Sequence, residues 1–369
     1  MKRLLTLLMA LMMFFSLACA ETVEDYAVVT VNGEDLLYSE YLPIESAYLY
    51  QYEAAGVDLT NEATYAYLQD LALTYAVEQM LVRQDMTAQG CYEFDAETEA
   101  WFAEQGKAAY DAALKNVMDT MRAPDTSEDE LLVYALAYAE ALGVNEQTYV
   151  DFYRTQYAAE NYHQWLVKDQ PVTDEEVLAA YDARVAASQT TFENNVAAFE
   201  NAVRSGTEIW YMPAGYRTVL QILLPAAGDT SEEKLANVQS TVDKIEARLE
   251  KGEAFENLIR EYGQDAAFAD ESFFATGYQV HQDSIVWEDA FIDAAFSAEM
   301  AQPGCWSKPF ASTLGVHILY YLNDAVSGPV ALTDTLHTAL AALLYTERYT
   351  AAQQERITEL ANAAEIVFH

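Results

Sequence analysis

The sequence predicts an α+β protein that is mostly helical and holds one small antiparallel sheet in its C-terminal half. Long segments carry apolar residues at helical spacing. A cluster of Gly206, Pro213 and Gly215 interrupts them, and strand-like runs then alternate with short helices as far as residue 324. The 369 residues exceed the usual length of one domain, and 52% of them are apolar. We therefore expect two domains with separate cores.

The first twenty residues have the pattern of an export signal. Lys2 and Arg3 precede an apolar run over residues 4–17, and Ala18-Cys19-Ala20 is a small-residue cleavage pattern. The run is shorter than a membrane-spanning helix requires. Cleavage after residue 20 would release a secreted protein, whereas cleavage before Cys19 would allow a lipid to anchor the protein to a membrane. Both alternatives predict an extracytoplasmic protein, either secreted or held at the cell surface.

The sequence after the signal predicts a hairpin followed by helices. Two short apolar runs, residues 26–31 and 34–38, flank Asn32-Gly33, a dipeptide typical of tight hairpin turns. Apolar periodicity then predicts helices at residues 39 onward, 63–89, 94–122, 127–142 and 146–168. These segments form the mostly helical N-terminal part of the predicted fold.

A further helix is predicted after Pro171. Thr173 and Glu176 form a capping box, in which each residue satisfies a free backbone N–H of the first helical turn. The helical pattern continues to about Val203 without an obvious break. We therefore expect one long helix at this point of the chain.

The elements predicted beyond residue 215 are shorter. They are a strand at 216–224, a helix opened by Thr230 and Glu233 and ended by Gly252, short helices at 254–262 and 289–296, and strands at 306–310 and 316–322. The stretch from 263 to 284 shows no regular pattern. A last helix at 333–363 leads into the apolar residues 366–368. This order predicts a compact α+β domain followed by one long helix.

Composition excludes several classes of function. The formal net charge is −40, and such an acidic surface does not suit nucleic acid or anionic lipid as a partner, because both require lysine and arginine. Cys91 and Cys305 fall in different predicted domains, so we expect two buried free thiols rather than a disulfide. The five histidines show no metal-ligand spacing. We expect neither a metal nor a cofactor.

Residues 216–323 resemble the parvulin family of peptidyl-prolyl isomerases. The segments that carry the resemblance are the strand 217–224, Leu249-Glu-Lys-Gly-Glu-Ala-Phe255, Tyr262-Gly-Gln-Asp265, Phe291-Ile-Asp-Ala-Ala-Phe296, Pro303-Gly304, Ser307-Lys-Pro309 and Gly315-Val-His-Ile318. They occur in the family's order. The resemblance implies a small antiparallel sheet flanked by helices.

The flanking segments resemble the extracytoplasmic foldases of the PrsA and SurA type. The similar segments are Val31-Asn-Gly33, residues 71–90 and Val172-Thr-Asp-Glu-Glu-Val177. In that family the C-terminal helix packs back on the N-terminal helices, so the isomerase domain is an insertion. The implied domains are a signal peptide at 1–20, a helical chaperone-like domain at 21–214, a parvulin-like domain at 215–324, and a C-terminal helix and strand at 325–369 that complete the helical domain.

The resemblance also implies a set of site residues. His317 stands at the family's second histidine and Asp265 at its acidic or thiol position, while Gln221 replaces the first histidine. These three are the candidate catalytic residues. The candidate substrate-binding residues are Phe291, Trp287 (where a pocket methionine is expected), Leu314 and Ile222. The family's glycine-rich turn between Asp265 and Trp287 is not recognisable. Structural alternatives stay open: a satisfied core histidine for His317, a turn cap for Asp265, plain core for Phe291, and a lid or client surface for Trp287.

Three functions follow as hypotheses. The first is a foldase that isomerises X–Pro bonds in exported unfolded proteins and binds them as a chaperone. The second is a non-catalytic holdase with a degenerate parvulin domain, favoured by the replacements at Gln221 and Trp287. The third is a secreted acidic surface or solute-binding protein. The expected partners are unfolded or proline-containing exported polypeptides, and homodimer formation is left open.

Overall fold

The computed structural model describes residues 25–123 and 126–369. The predicted signal peptide and the candidate lipid site Cys19 lie outside these residues. The chain folds as two compact units. The first contains the described residues up to Pro171 together with Leu343–His369, and the second is Val172–Ala342.

The helices and strands are numbered in chain order. The helices are α1 (Tyr38–Ala54), α2 (Glu62–Ala88), α3 (Ala96–Met121), α4 (Glu128–Ala141), α5 (Glu146–Val167), α6 (Asp174–Phe192), α7 (Val196–Ser205), α8 (Ser231–Leu249), α9 (Phe255–Tyr262), α10 (Phe273–Thr276), α11 (Asp289–Ala295) and α12 (Asp334–Ala363). The strands are β1 (Ala27–Val31), β2 (Glu34–Leu37), β3 (Tyr211–Met212), β4 (Arg217–Leu224), β5 (Tyr278–Val280), β6 (Phe310–Ala311), β7 (Val316–Asp324), β8 (Gly328–Pro329) and β9 (Ile366–Phe368).

The first unit is a helical body with a three-stranded antiparallel sheet in the order β2-β1-β9. The predicted hairpin is confirmed: Asn32 and Gly33 both have positive φ, as a tight turn between twisted strands requires. The core joins the strands to α1 and α2, and its buried members include Val29, Val31 and Leu81. Since β9 pairs with β1, the C-terminal segment completes this unit, as the resemblance implied.

A buried ion pair also holds the part of α12 from Leu343 onward in the first unit. The Arg356 guanidinium donates to both oxygens of Asp85 on α2, at 2.8 and 2.9 Å, and the Tyr162 hydroxyl donates to the same carboxylate at 2.6 Å. Burial alone would raise the pKa of Asp85, but the hydrogen bonds from Arg356, Tyr162 and Gln89 outweigh burial and lower the pKa to about 2. The carboxylate is therefore charged and fully paired inside the unit.

The second unit contains a four-stranded antiparallel sheet in the order β5-β4-β7-β6. One face of this sheet packs on α8 and α9 through a core whose members include Leu220, Ile222, Ile245 and Leu258. The opposite face carries a second core, with Val219 and Leu319 against Phe291 of α11. This architecture is the predicted α+β domain, and the second face positions the candidate site.

Some elements of the structure differ from the prediction. The helix expected to reach residue 203 is divided into α6 and α7, because Asn195 caps a new helix by accepting the N–H of Ala198. Strand β5 lies in the stretch that showed no pattern, and its three residues are too few to give one. The strand expected at 306–310 is reduced to β6 and an isolated bridge between Trp306 and Tyr320. The short pair β3 and β8 was not expected.

No helix within residues 25–123 and 126–369 combines the length and the apolar character that crossing a bilayer demands.

Candidate functional site

The two central strands of the second unit bring His317 and Gln221 together. In the antiparallel register of β4 and β7, Leu223 lies opposite His317 and Gln221 lies opposite Leu319. Because strand side chains alternate between faces, Gln221 and His317 point to the same side as diagonal neighbours. His317 is 2% exposed and Gln221 is 5% exposed. Their side chains form a hydrogen bond of 2.7 Å between Nδ1 of His317 and Oε1 of Gln221.

The hydrogen bonding continues on both sides of this pair. Nε2 of Gln221 donates to Oδ2 of Asp265 at 2.5 Å, and the Tyr278 hydroxyl donates to the same oxygen at 2.7 Å. At the other end, the Ser312 hydroxyl lies 2.5 Å from Nε2 of His317. We call these five residues, Ser312, His317, Gln221, Asp265 and Tyr278, the polar chain.

The polar chain has one consistent direction of donation. Asp265, as a carboxylate, only accepts, so the Gln221 amide nitrogen faces it and the amide oxygen faces His317. Nδ1 of His317 therefore carries the proton, and Nε2 accepts from Ser312. Ser312 Oγ in turn accepts the backbone N–H of Leu314 at 3.0 Å. Every polar atom of the imidazole is satisfied while the ring is neutral.

Burial keeps His317 neutral. Desolvation lowers the pKa of the imidazole to about 4, against a smaller raising effect of the carboxylates of Glu288 and Asp265. The pKa of Tyr278 is raised, first by burial and then by its hydrogen bond to Asp265. At neutral pH the imidazole of His317 and the phenol of Tyr278 are therefore both uncharged.

Aromatic rings form a wall around the imidazole. The ring of Phe310 stacks on His317 with centroids 5.2 Å apart, and Phe291 meets His317 edge-on at 5.8 Å. Trp287 stacks on Phe291 at 4.4 Å, and its indole N–H donates to the carbonyl of Gln279 at 3.0 Å. Phe291 is buried and Trp287 is half-buried. We call Phe291, Phe310 and Trp287 the aromatic wall.

A tight turn between β6 and β7 places the Ser312 side chain next to the imidazole of His317. The N–H of Ser312 donates to the carbonyl of Gly315 at 2.8 Å, which closes the turn between β6 and β7. Gly315 has a φ of +150°, and a Cβ at this position would lie 2.4 Å from the carbonyl oxygen of Leu224. Only glycine allows the turn to approach β4 so closely. Glu288 anchors the tip by accepting the N–H of Thr313 at 3.2 Å.

The structure groups most of the predicted site residues and separates one. His317, Gln221 and Asp265 belong to the polar chain, with Asp265 also capping a turn by accepting the N–H of Ala267. Phe291 and Trp287 form the wall, and Leu314 stands at the tip of the turn with 69% of its surface exposed. Ile222 lies on the opposite face of the sheet, fully buried in the core against α8 and α9, and so lies away from the site.

Three members of the site were missed from the sequence. Phe310 lies directly opposite His317 in the β6–β7 register, so drawing that hairpin would have found it. Ser312 starts the turn of the same hairpin. Tyr278 belongs to β5, within the stretch that showed no periodic pattern, and no signal in the sequence pointed to it.

A family model matches part of the second unit. Residues 222–323 match the model described as Rotamase: PPIC-type PPIASE domain. The predicted resemblance to parvulin-type isomerases is thereby confirmed over residues 222–323. No curated protein matches the chain.

Solved structures of low sequence identity are also similar. PrsA from Bacillus subtilis is 18% identical with a TM-score of 0.23, over 70% of this chain and 82% of that one. A structure from a study of PEB4 and Cj1289, two SurA-like chaperones of Campylobacter jejuni, is 15% identical with a TM-score of 0.34, over 93% of this chain and 100% of that one. The foldase PrsA from Streptococcus pneumoniae is 14% identical with a TM-score of 0.24, over 84% and 91% of the two chains.

Proposed function

We propose that this protein is an extracytoplasmic foldase that catalyses cis–trans isomerisation of X–Pro bonds in exported unfolded proteins and binds these chains as a chaperone. One observation carries the catalytic part of the proposal. Within a domain of the PPIC type, a buried neutral histidine is held in the polar chain directly beside the aromatic wall.

The reaction requires an environment rather than a nucleophile. Rotation about an X–Pro bond faces a barrier of roughly 20 kcal/mol, because the amide loses its resonance as it twists. The twisted amide is less polar at its carbonyl, and its nitrogen becomes a hydrogen-bond acceptor. An apolar surface for the proline ring and preorganised polar groups next to it both favour the twisted state. Neither the apolar surface nor the polar groups require a metal or a cofactor.

The site residues take these two roles. We assign His317, Gln221 and Asp265 as the catalytic group, in which the carboxylate acts through Gln221 to orient the imidazole. We assign the aromatic wall, with Phe291 and Trp287 in it, to contact with the proline ring. We assign Leu314, exposed at the tip of the turn, to contact with the residues that flank proline.

Helix α4 of the first unit supports the chaperone part of the proposal. Its buried side consists of Leu131, Ala135 and Ala139, which fix the helix to its neighbour. Its outer side nevertheless exposes apolar side chains that are 41–64% accessible: Leu132, Val133, Tyr134 and Leu136. Exposed apolar side chains grouped on one helix suit contact with the apolar segments of unfolded chains. We call these four residues the α4 patch.

A non-catalytic holdase is the second candidate, and two observations favour it. Gln221 replaces a histidine and cannot change its charge. The indole of Trp287 already covers one face of Phe291, where a proline ring would otherwise pack. In this alternative the parvulin domain has a binding or structural role.

A protease-coupled assay on proline peptides distinguishes the two candidates. Wild-type protein should accelerate isomerisation for at least one residue preceding proline, and His317→Ala should lower the rate by about tenfold or more. The matched control is His337→Ala, a half-exposed histidine of α12, which should leave the rate unchanged. Absence of acceleration for every residue preceding proline would contradict catalysis and leave the holdase.

An aggregation assay tests the chaperone part separately. Changing Leu132, Tyr134 and Leu136 to Ser together should weaken suppression of client aggregation while isomerase activity is retained. The control changes two exposed apolar residues elsewhere, Leu178→Ser and Val203→Ser. Equal loss in both variants would argue against the α4 patch. If wild-type protein neither suppresses aggregation nor isomerises proline, the acidic surface or solute-binding protein is the remaining hypothesis.

The cellular location and the domain limits belong to the same proposal. The signal pattern of residues 1–20 supports export, and one of the two similar Campylobacter jejuni proteins is described as periplasmic. We retain residues 215–324 as the isomerase domain. Mass spectrometry of the mature N-terminus decides between cleavage after Ala20 and lipid attachment at Cys19.

A further inference from the structure

The first unit contains a cavity that the proposed function does not use. It has a volume of about 410 Å³ and lies where β1, α1 and α2 meet. Tyrosine dominates its lining, with Tyr26, Tyr38, Tyr41 and Tyr65. Tyr26 and Tyr65 at the rim are 53% and 37% exposed, so the cavity is reached from solvent. Its volume falls in the range of pockets that hold small organic groups.

A buried carboxylate lies in this cavity. Glu45 projects from α1 and is 5% exposed. Its carboxylate accepts a hydrogen bond from the side-chain amide of Gln69. Among the described residues, no lysine or arginine lines the cavity or pairs with Glu45. A buried carboxylate is costly unless a cation compensates its charge, and the amide of Gln69 supplies no charge.

Tyr41 and Tyr38, close to Glu45, are uncharged and present electron-rich rings. Burial, followed by the nearby carboxylate of Glu45, raises the pKa of Tyr41 to about 12, and the same causes raise the pKa of Tyr38. The rings of Tyr26 and Tyr38 stack on each other at 5.1 Å. Neutral aromatic rings carry negative charge density on their faces, which attracts cations.

We propose that this cavity binds an ammonium or guanidinium group on an apolar stem. The cation would sit against Glu45, and its stem would contact the tyrosine rings and the apolar side chains of Leu42 and Leu49. The group can come from a lysine or arginine side chain of a bound polypeptide or from a free organic amine. The net charge of −40 adds a long-range attraction for either source. No residue of the polar chain lines the cavity, so the proposal stands independently of the isomerase activity.

Calorimetric titration of the intact protein tests the proposal in about 0.15 M salt, where distant charges are screened. The probes are three peptides and one free amine. The peptides are acetyl-Gly-Lys-Gly-amide and its two analogues with arginine or norleucine in place of the lysine, and the amine is butylammonium. The lysine and arginine peptides should bind and the norleucine peptide should not. If butylammonium binds and the peptides do not, the ligand is a free amine. Equal binding of the norleucine peptide, or binding by none of the cations, would overturn the proposal.

Two pairs of matched variants separate the cavity from the acidic surface. Glu45→Gln should weaken cation binding by about tenfold or more, because the charged hydrogen bond is lost. Glu53→Gln removes one charge from the exposed side of the same helix and should leave binding unchanged. Tyr65→Leu should weaken binding, whereas Tyr67→Leu, on the same helix but outside the cavity, should not. Equal effects within either pair would show that the cation does not bind in this cavity, and would contradict the proposal.

Discussion

At the scale of single residues, Gln221 connects His317 to Asp265 in the candidate site. Its amide oxygen accepts a hydrogen bond from the Nδ1–H of His317 and its amide nitrogen donates to Asp265, so one amide fixes the tautomer of the imidazole. A histidine at this position could also donate with one ring nitrogen and accept with the other. The replacement of a histidine by Gln221 therefore preserves the connection of the polar chain while removing a titratable group.

Two substitutions at Gln221 test this role. Gln221→Leu should lower isomerase activity about tenfold and destabilise the fold by about 1 to 3 kcal/mol, because buried partners lose their hydrogen bonds. Gln221→His should raise the activity or leave it unchanged. Peptide isomerisation rates and denaturant unfolding measure both effects.

The control for Gln221→Leu is Gln279→Leu, the same change at an exposed position of β5, which should alter neither quantity. A clear loss of activity in Gln221→His would show that glutamine itself is adapted to the chemistry. That loss would contradict the view that glutamine and histidine are interchangeable at position 221.

The buried His317 makes stability depend on pH. In the unfolded chain the imidazole binds a proton below about pH 6.5, but in the folded protein only below about pH 4. Between these values protonation favours the unfolded chain, so stability falls as the pH falls. The effect amounts to about 3 kcal/mol between pH 7 and pH 4.

Unfolding free energies of wild type and His317→Gln measure this effect. The stability advantage of wild type should shrink as the pH is lowered through this window, because only wild type carries the titrating ring. An advantage that stays constant with pH would show that His317 is not buried as described.

Only the site residues that lie in motifs shared with the parvulin family could be predicted from the sequence. His317, Asp265 and Phe291 stand in recognisable motifs, and the structure groups them. Ile222 was misplaced because adjacent strand residues point to opposite faces, and a motif does not state which face is functional. Tyr278 reaches Asp265 from a strand of three residues, whose pairing depends on tertiary contacts rather than on local sequence.

At the scale of elements, the β6–β7 turn positions both Ser312 and Leu314. Gly315→Ala should destabilise the second unit by more than about 3 kcal/mol, because its Cβ would collide with the Leu224 carbonyl of the central strand. Isomerase activity should fall as well, since Ser312 would be displaced from His317. Denaturant unfolding and the peptide assay measure these outcomes.

Gly252→Ala is the matched control. Gly252 also has a positive φ, of +81°, but a Cβ there would meet nothing within 4 Å. This change should cost about 1 kcal/mol and leave activity intact. Similar effects of the two changes would mean that close approach is not the constraint at Gly315.

Element prediction succeeded where local chemistry determines the structure. The Asn32-Gly33 turn and the capping boxes at Thr173 and Thr230 appear as predicted, because backbone and side chain satisfy each other within a few residues. The break before α7 was missed although Asn195 is a good helix cap. Its flanking residues are also helix formers, so only packing decides which alternative forms.

At the scale of the whole molecule, the second unit is an insertion between two parts of the first. The chain leaves the first unit at Pro171 and returns at Leu343, and β9 then pairs with β1. The Arg356–Asp85 pair fastens this returning segment. The resemblance predicted the return, whereas chain length alone predicted only that there are two domains.

Arg356→Met tests the insertion. It should destabilise the first unit by about 3 to 5 kcal/mol, because Asp85 would remain buried without its partner. Unfolding should then separate into two transitions, and isomerase activity of the second unit should survive the first transition. Arg122→Met, which breaks two exposed ion pairs, should produce little change. Loss of activity together with the first unit in Arg356→Met would contradict independent folding of the inserted unit.

Exchange NMR on a proline peptide tests the central claim most directly, because it observes cis–trans interconversion without a coupling protease. Wild-type protein at catalytic concentration should produce exchange cross-peaks between the cis and trans signals of the peptide. His317→Ala should produce much weaker ones under the same conditions. Cross-peaks absent with wild type, or equally strong with both proteins, would contradict isomerisation at the polar chain and the aromatic wall.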